Sequence, residues 1–397
     1  MLLTQRITDQ LAKRKALSLY RARQTLQSPQ QPHVILNGQP YLAFCSNDYL
    51  GLANHPEIIS AFKRAADEFG VGSGASHLVL GHSRYHHILE ERLAEKTGRQ
   101  KALLFSSGYM ANLGVINGLL ERGDTVFQDK LNHASLIDGA IVSGAHFKRY
   151  RHAEVSQLQH LLEKDRQEKT DKSVGLIVTD GVFSMDGDVA PLADIAMLAQ
   201  KYGCALMVDD AHGFGVLGEA GQGSVSALNL SARDVPIYMA TLGKALGTAG
   251  AFVAGDTDLI EFLIQQARSY IYTTALPPAI AAATLASLDV LLRESWRQSH
   301  LAALIQRFRQ GAAQLDLPLL LSDTAIQPLH VGGSEHALDL SHRLREKNIL
   351  VTAIRPPTVP DNTARLRITL SAAHSFEDVD ILLAALEETV QPQGYRA

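Results

Sequence analysis

An α/β fold with a doubly wound, mostly parallel sheet is what this sequence predicts, and two observations carry the prediction. Between about Asn47 and Leu285 short apolar runs alternate with helical patterns. Several of those runs lead directly into polar loops with small residues, as strands do at the ligand-binding edge of an open sheet. The strand candidates are 102–105, 125–128, 174–179, 205–208, 236–240 and 250–254, and Leu192–Tyr202 is typical of the helical patterns between them. Upstream, residues 1–46 read as an arm: a basic amphipathic helix over 11–23, a Pro/Gln-rich link and a short strand near 41–44, too little to fold alone. Downstream, a helix over 279–292 leads into residues 286–397. There, helices over 300–314, 337–347 and 376–390 surround strands near 327–331 and 365–369, an α+β pattern. The expected domains are therefore an arm (1–46), a large domain (47–285) and a small one (286–397).

Composition excludes several function classes. The 397 residues are 46% hydrophobic and 20% charged, enough to bury a large core, which excludes a disordered chain. No run approaches the roughly eighteen apolar residues of a membrane span, and charges from Arg6 onward interrupt any secretory signal, so a cytoplasmic enzyme without membrane partners is expected. A net charge of −4 argues against a nucleic-acid surface. Cys45 and Cys204, each in apolar surroundings, read as buried reduced thiols. His82, His86 and His87 begin a helical pattern; the first two have the spacing of a metal pair, but no neighbouring carboxylate completes a motif, so a solvated helix start and no metal are expected.

The chemistry is concentrated in two segments. TLGKALGTAG (241–250) sets a lone lysine, Lys244, among small residues just after a strand. Thirty-five residues earlier, ALMVDDAHG (205–213) runs a strand into two aspartates and a histidine. An amine and a carboxylate at one sheet edge are the two groups that pyridoxal 5′-phosphate (PLP) requires, the amine for its aldehyde and the carboxylate for its pyridinium nitrogen. Lys244 and Asp209 fill those parts. Two nucleotide-binding spellings fail. The lysine segment has Tyr238 where a phosphate loop needs glycine and Ala245 where it needs Ser or Thr, and the GxGxxG of 213–218 is followed by a glycine-rich stretch and not by a helix.

Other strand ends supply further candidates. Ser106, Ser107 and Gly108 open a helix whose free N–H groups suit a dianion, with the Thr241 hydroxyl as a further donor, although Ser107 also reads as a plain helix cap. His133 follows the 125–128 strand, where an imidazole could lie flat on an aromatic cofactor, and Ser184 lies in the polar loop after 174–179.

SNDYLGL (46–52), GVFSMDGD (181–188), VDDAHG (208–213), TLGKALG (241–247) and IRPPTVP (354–360) together resemble, in order and spacing, the α-oxoamine synthases, PLP-dependent transferases of fold type I. The resemblance covers essentially the whole chain. It implies Lys244 as the Schiff-base lysine and catalytic base, Asp209 as partner of the ring nitrogen, and His133 stacked on the ring. His212 and Ser184 would contact the ring's phenolic oxygen and its surroundings, and Gly108, Tyr109 and Thr241 the cofactor's edges and phosphate. Asn47 and Arg367 would meet the amino acid's carboxylate; Arg21 and Thr358 would face the acyl substrate. IRPPTVP followed by TARLRITLSAAH points to the member that joins L-alanine to a pimeloyl thioester, carried by coenzyme A or by an acyl-carrier protein; glycine C-acetyltransferase and 5-aminolevulinate synthase are the sister activities left open. The resemblance also implies a homodimer with shared active sites, the loop before Pro277 and Pro278 offering Thr274 to the neighbour's phosphate. Asp180 stands where relatives carry glutamate.

Overall fold

The computed structural model describes residues 1–17, 19–168 and 173–390. They form two compact units, Leu50–Ser184 with Asp188–Gln298, and Met1–Tyr49 with Met185–Gly187 and Ser299–Ala397.

The larger unit is built on seven strands: β1 (Lys101–Phe105), β2 (Thr125–Asp129), β3 (His146–Tyr150), β4 (Gly175–Asp180), β5 (Ala205–Asp209), β6 (Ile237–Thr241) and β7 (Ala251–Gly255). Their order across the sheet is β1-β7-β6-β5-β4-β2-β3. Only β7 runs antiparallel to its neighbours. All residues of β2 and β4 are buried, as strands with both faces covered must be. β3 was not anticipated from sequence: its HFKRY buries only Tyr150, because a strand at the edge lacks a continuous apolar signal. Leu103, Val126, Met207 and Val253 from the sheet pack with Val115, Ile116 and Leu136 from the helices into one core. Helix Pro278–Arg293, with proline at its first position, buries ten side chains and packs on helices Pro56–Phe69 and Arg84–Lys96.

The lysine loop leaves β6 through a turn that requires glycine. Gly247 has φ 65°, and an added Cβ would overlap the backbone of Leu52 and Ala53. The GxGxxG spelling of 213–218 is likewise a turn, with Gly215 and Gly218 both at positive φ.

In the smaller unit, hairpin strands His33–Leu36 and Gln39–Ala43 gain Ile349–Leu350 as a parallel third strand, so the expected arm is part of this unit. Strand Ala364–Thr369 pairs between Ile326–Gly332 and Thr352–Ile354. The unit boundary near residue 298 lies beyond the 285 expected, because helix Pro278–Arg293 packs on elements of the larger unit. Residues 391–397 of the expected small domain lie outside the described residues.

Three further expectations are corrected. The N-terminal helix spans Leu2–Ala16, not 11–23; Lys13, Arg14 and Lys15 form its last turn, where cations suit the helix dipole. Cys45 and Cys204 are free but only half-buried. His86 is not solvated: it is fully buried and closes a capping box with Ser83. No helix among the described residues is long and apolar enough to cross a membrane.

Candidate active site

Strands β1, β2, β4, β5 and β6 run parallel, so the segments after them emerge at one sheet edge. β1 leads into helix Gly108–Leu119, β2 into the loop of His133, β4 ends at Asp180, β5 at Asp209, and β6 at Thr241, three residues before Lys244. A cavity of about 190 Å³ lies between them.

Asp209, 4% exposed, is pinned from two sides: Asn112 Nδ2 donates to Oδ2 (2.7 Å) and the Ala211 N–H donates to Oδ1 (3.0 Å). Asn112 is completely buried and its amide also donates to Ser135 Oγ (2.8 Å). The adjacent Asp210 turns the other way, as alternation along a strand requires. Its Oδ2 accepts from the Ser224 N–H and the Tyr238 hydroxyl, both at 2.7 Å, and burial pushes its carboxyl up to about 6. Of the two aspartates, Asp209 is therefore the one lining the cavity.

Lys244 Nζ lies 2.7 Å from His212 Nε2, and both residues line the cavity. His133 caps helix Ala134–Ser143: its Nδ1 accepts the Ser135 N–H (3.3 Å). A neutral ring therefore carries its hydrogen on Nε2. Burial holds the His133 pKa below the ordinary histidine value; Asp209 pulls it up and Lys244 pushes it further down. Asp180, one methylene shorter than glutamate, accepts the backbone N–H of His133 at Oδ2 (2.7 Å). Burial, reinforced by the Asp209 carboxylate, holds Asp180 well above the usual carboxylate range.

Gly108, Tyr109, His133, Asp209, His212, Thr241 and Lys244 all line this cavity. Two of them also have partners within the chain. The Thr241 hydroxyl donates to the Gly250 carbonyl (3.0 Å) and accepts the Gly243 N–H (3.3 Å), so it closes the lysine turn. The Tyr109 phenol donates to Asp138. Ser107 is the helix cap that its position also suggested, accepting the Met110 N–H at 3.3 Å. Ser184, half-buried after β4, and Thr274, exposed, do not line the cavity. Thr274 sits in the extended segment expected, bridged to Ser76, with helix Pro278–Arg293 beginning after Pro277.

Asn47, Arg367, Arg21 and Thr358 belong to the smaller unit. Arg367 donates to Asn47 Oδ1 (3.1 Å) and to Thr369 Oγ1 (3.0 Å). Arg21 and Thr358 line a cavity of about 560 Å³ that Arg14, Arg345 and Arg355 also line. Burial and the Arg21 charge lower the Arg355 pKa, a sign of concentrated positive charge.

Asn112, Ser135, Ala211 and Met239 also line the larger unit's cavity, and the sequence reading missed them. Asn112 was findable, since it lies four residues after Gly108 on one helix and so shares its face.

A family model described as aminotransferase class I and II matches residues 39–386. The chain is 60% identical over 384 residues to 8-amino-7-oxononanoate synthase of Pseudomonas putida (strain GB-1), with 96% of each covered. Serine palmitoyltransferase from S. paucimobilis, with a bound PLP–myriocin aldimine, has TM-score 0.90 and 27% identity over 96% of both chains. The 8-amino-7-oxononanoate synthase of Francisella tularensis has TM-score 0.76 and 33% identity, covering 88% of this chain and 98% of its own.

His152 joins the end of β2 to the segment after β4: Nδ1 pairs with Asp129 (3.1 Å) and Nε2 with Asp188 (2.9 Å). Burial alone would lower its pKa, but the two carboxylates overcome that and push it up to about 9. A raised histidine pKa contributes stability that is fully present below the unfolded value near 6.5 and is lost as pH rises through the folded value. Urea unfolding midpoints should therefore fall between about pH 6.5 and 9. In His152→Gln this part of the pH dependence should be missing; an unchanged slope would remove His152 from the account.

Proposed function

The chain belongs to the class I and II aminotransferase family, and within it to the 8-amino-7-oxononanoate synthases; from that premise we propose that it condenses L-alanine with a pimeloyl thioester on PLP. The products are 8-amino-7-oxononanoate, CO2 and the free thiol, a step of biotin biosynthesis. The observation that carries this reading is one cavity holding a lysine amine, a buried carboxylate fixed by two donors, and a helix N-terminus.

The residues present fit the cofactor. Asp209 is buried and oriented without a cationic side chain among its hydrogen-bond donors, leaving it able to pair with a protonated ring nitrogen. The N–H groups of Gly108 and Tyr109 lie in the first turn of their helix, where no intrahelical acceptor exists, and suit a phosphate. When bound, PLP supplies an aldehyde for the amine and an electron-poor ring that takes up the charge left when a proton departs.

Lys244 would hold the cofactor's aldehyde through its amine, and its Nζ would take the α-proton of alanine. His212, 2.7 Å from that nitrogen, orients it. Asp209 keeps the ring nitrogen protonated, because the charged pair is favoured in a buried site. His133, neutral with its hydrogen on Nε2, offers an apolar face and one donor. Asp180 fixes the His133 backbone, so the shorter residue at this position performs a positioning role. Arg367 with Asn47 holds the alanine carboxylate, and Arg21 with Thr358 holds the acyl substrate. The Lys244 Nζ would also return a proton to the α-carbon once CO2 has left. We read the enzyme as a cytoplasmic homodimer, the location supported by its thioester substrate. Serial assays with pimeloyl-CoA and a pimeloyl-carrier protein, each with L-alanine, glycine or L-serine, following CO2 and thiol, test the reading. Product with L-alanine is expected; turnover with glycine or serine alone would overturn it in favour of a sister activity.

Lys244→Ala should leave less than about a thousandth of the wild-type rate, since positioned proton transfer alone contributes roughly 10²–10⁴-fold. Asp209→Asn should retain PLP by absorbance yet exchange the α-proton of alanine far more slowly, because an amide cannot hold the ring nitrogen protonated. Wild-type exchange in that variant would reassign the role.

Thr274 is exposed in the single chain, which supports a role toward a second copy. If Thr274 completes the neighbour's site, mixing Lys244→Ala with an inactive Thr274→Ala variant creates one intact site per heterodimer. Recovery of up to about half of one dimer's activity is the expected outcome. No recovery in heterodimers verified by mass would rule out a shared site.

A further inference from the structure

His77, His82 and His86 gather outside the cavity described above, where the π-helical turn His77–Gly81 meets the start of helix Arg84–Lys96. One ring nitrogen from each lies within 4.8 Å of the others. We propose that these three histidines form a binding site for a divalent transition-metal ion of the zinc class, with water in the fourth position.

Three features of the geometry support the assignment. His77 Nδ1 and His82 Nδ1 are 3.0 Å apart. Metal–nitrogen bonds of roughly 2.0–2.1 Å place two tetrahedral ligand nitrogens about 3.3 Å apart, so an adjustment of a few tenths of an ångström admits an ion. The tautomer of His86 is fixed: its Nδ1 accepts the Ser83 N–H (2.9 Å) and its Nε2–H donates to the Leu276 carbonyl (2.6 Å), so an ion takes the Nδ1 lone pair in place of the Ser83 N–H. A ligating histidine characteristically gives its other N–H to a backbone carbonyl in this way. The Glu90 carboxylate, 3.9 Å from His82 Nε2, adds a group able to bond the outer nitrogen of a second ligand.

His77 is immobilised by stacking on Tyr270 at 5.0 Å. Turns bearing a π-type hydrogen-bond pattern recur at functional sites, and this one holds the first ligand.

A second group of possible ligands, His55, Glu57 and Glu294, is less suited. Glu57 already pairs with Arg293 (2.7 Å) and Glu294 with Arg297 (2.7 Å). An ion at the three-histidine site would tie the 77–81 turn to helix Arg84–Lys96. Through His86 it would also brace the Leu276 carbonyl, two residues after Thr274.

The test uses the PLP-loaded protein after chelator treatment, titrated with Co²⁺ and followed by its visible d–d absorption, with Zn²⁺ as competitor. One equivalent per chain should bind, with the intensity of a four-coordinate site. His82→Gln should weaken binding at least about 100-fold, the upper end of the cost of losing even an outer-shell partner. Glu57→Gln should leave it unchanged. His82→Cys keeps a ligand at the position and should restore binding; it also serves if His82→Gln does not fold, as judged by circular dichroism and PLP absorbance. Absence of saturable binding at one equivalent, equal affinity in His82→Gln, or loss of binding in Glu57→Gln would overturn the proposal.

Discussion

Burial of the Asp209 carboxylate at the edge of the sheet is the constraint on which the larger unit's site depends. A buried acceptor left without donors costs several kcal/mol, so the surrounding elements must supply them. One comes from Asn112 on helix Gly108–Leu119 and one from the turn after β5. Asn112 can reach Asp209 only if its helix begins beside the cavity, and that same placement brings the helix N-terminus there. The amide's second hydrogen goes to Ser135, which also donates its N–H to the His133 ring. A single carboxylate thus ties together the segments following β1, β2 and β5.

Other carboxylates crowd the same edge, and each is separated from Asp209 by different partners. Asp210, the next residue, lies on the opposite face against Ser224 and Tyr238. Asp180 is held at the His133 backbone, and its raised pKa shows the cost of burial near a second acid. Asp129 is drawn off by His152 and by the backbone of Leu131 and Ala153. The histidine between Asp129 and Asp188 is the one whose pKa the carboxylates raise, whereas His77, His86 and His133 are buried without such a pair and are lowered. Histidines of one chain therefore serve opposite electrostatic ends, according to their neighbours.

The smaller unit solves a different problem. Its N-terminal hairpin has too few residues to bury a core alone, and Ile349–Leu350 supplies the missing third strand. Helix Leu2–Ala16 buries none of its side chains within the chain, so the hairpin, and not the helix, anchors this segment. The arginines lining the 560 Å³ cavity come from both the N-terminal segment and the 345–355 region, a convergence that pairing through Ile349–Leu350 makes possible.

The sheet, the strand ends and the lysine–carboxylate pair were legible in the sequence. Buried parallel strands are written as apolar runs, and the residues following them reach a common edge whatever the details of packing. Lys244, Asp209 and His133 could be found that way. Asn112's place on the helix face of Gly108 could be read as well, but its bond to Asp209, Asp180's grip on the His133 backbone and the partners that draw Asp210 away from the cavity could not, since each depends on which side chain faces which across elements distant in sequence. The histidines at 82 and 86 show the same limit: their spacing was visible, but His77 joins them only through the turn that folds back upon the helix. Local sequence determined the elements and where their polar ends fall; tertiary packing alone decided which polar groups meet, because every buried donor had to find its acceptor in another part of the chain.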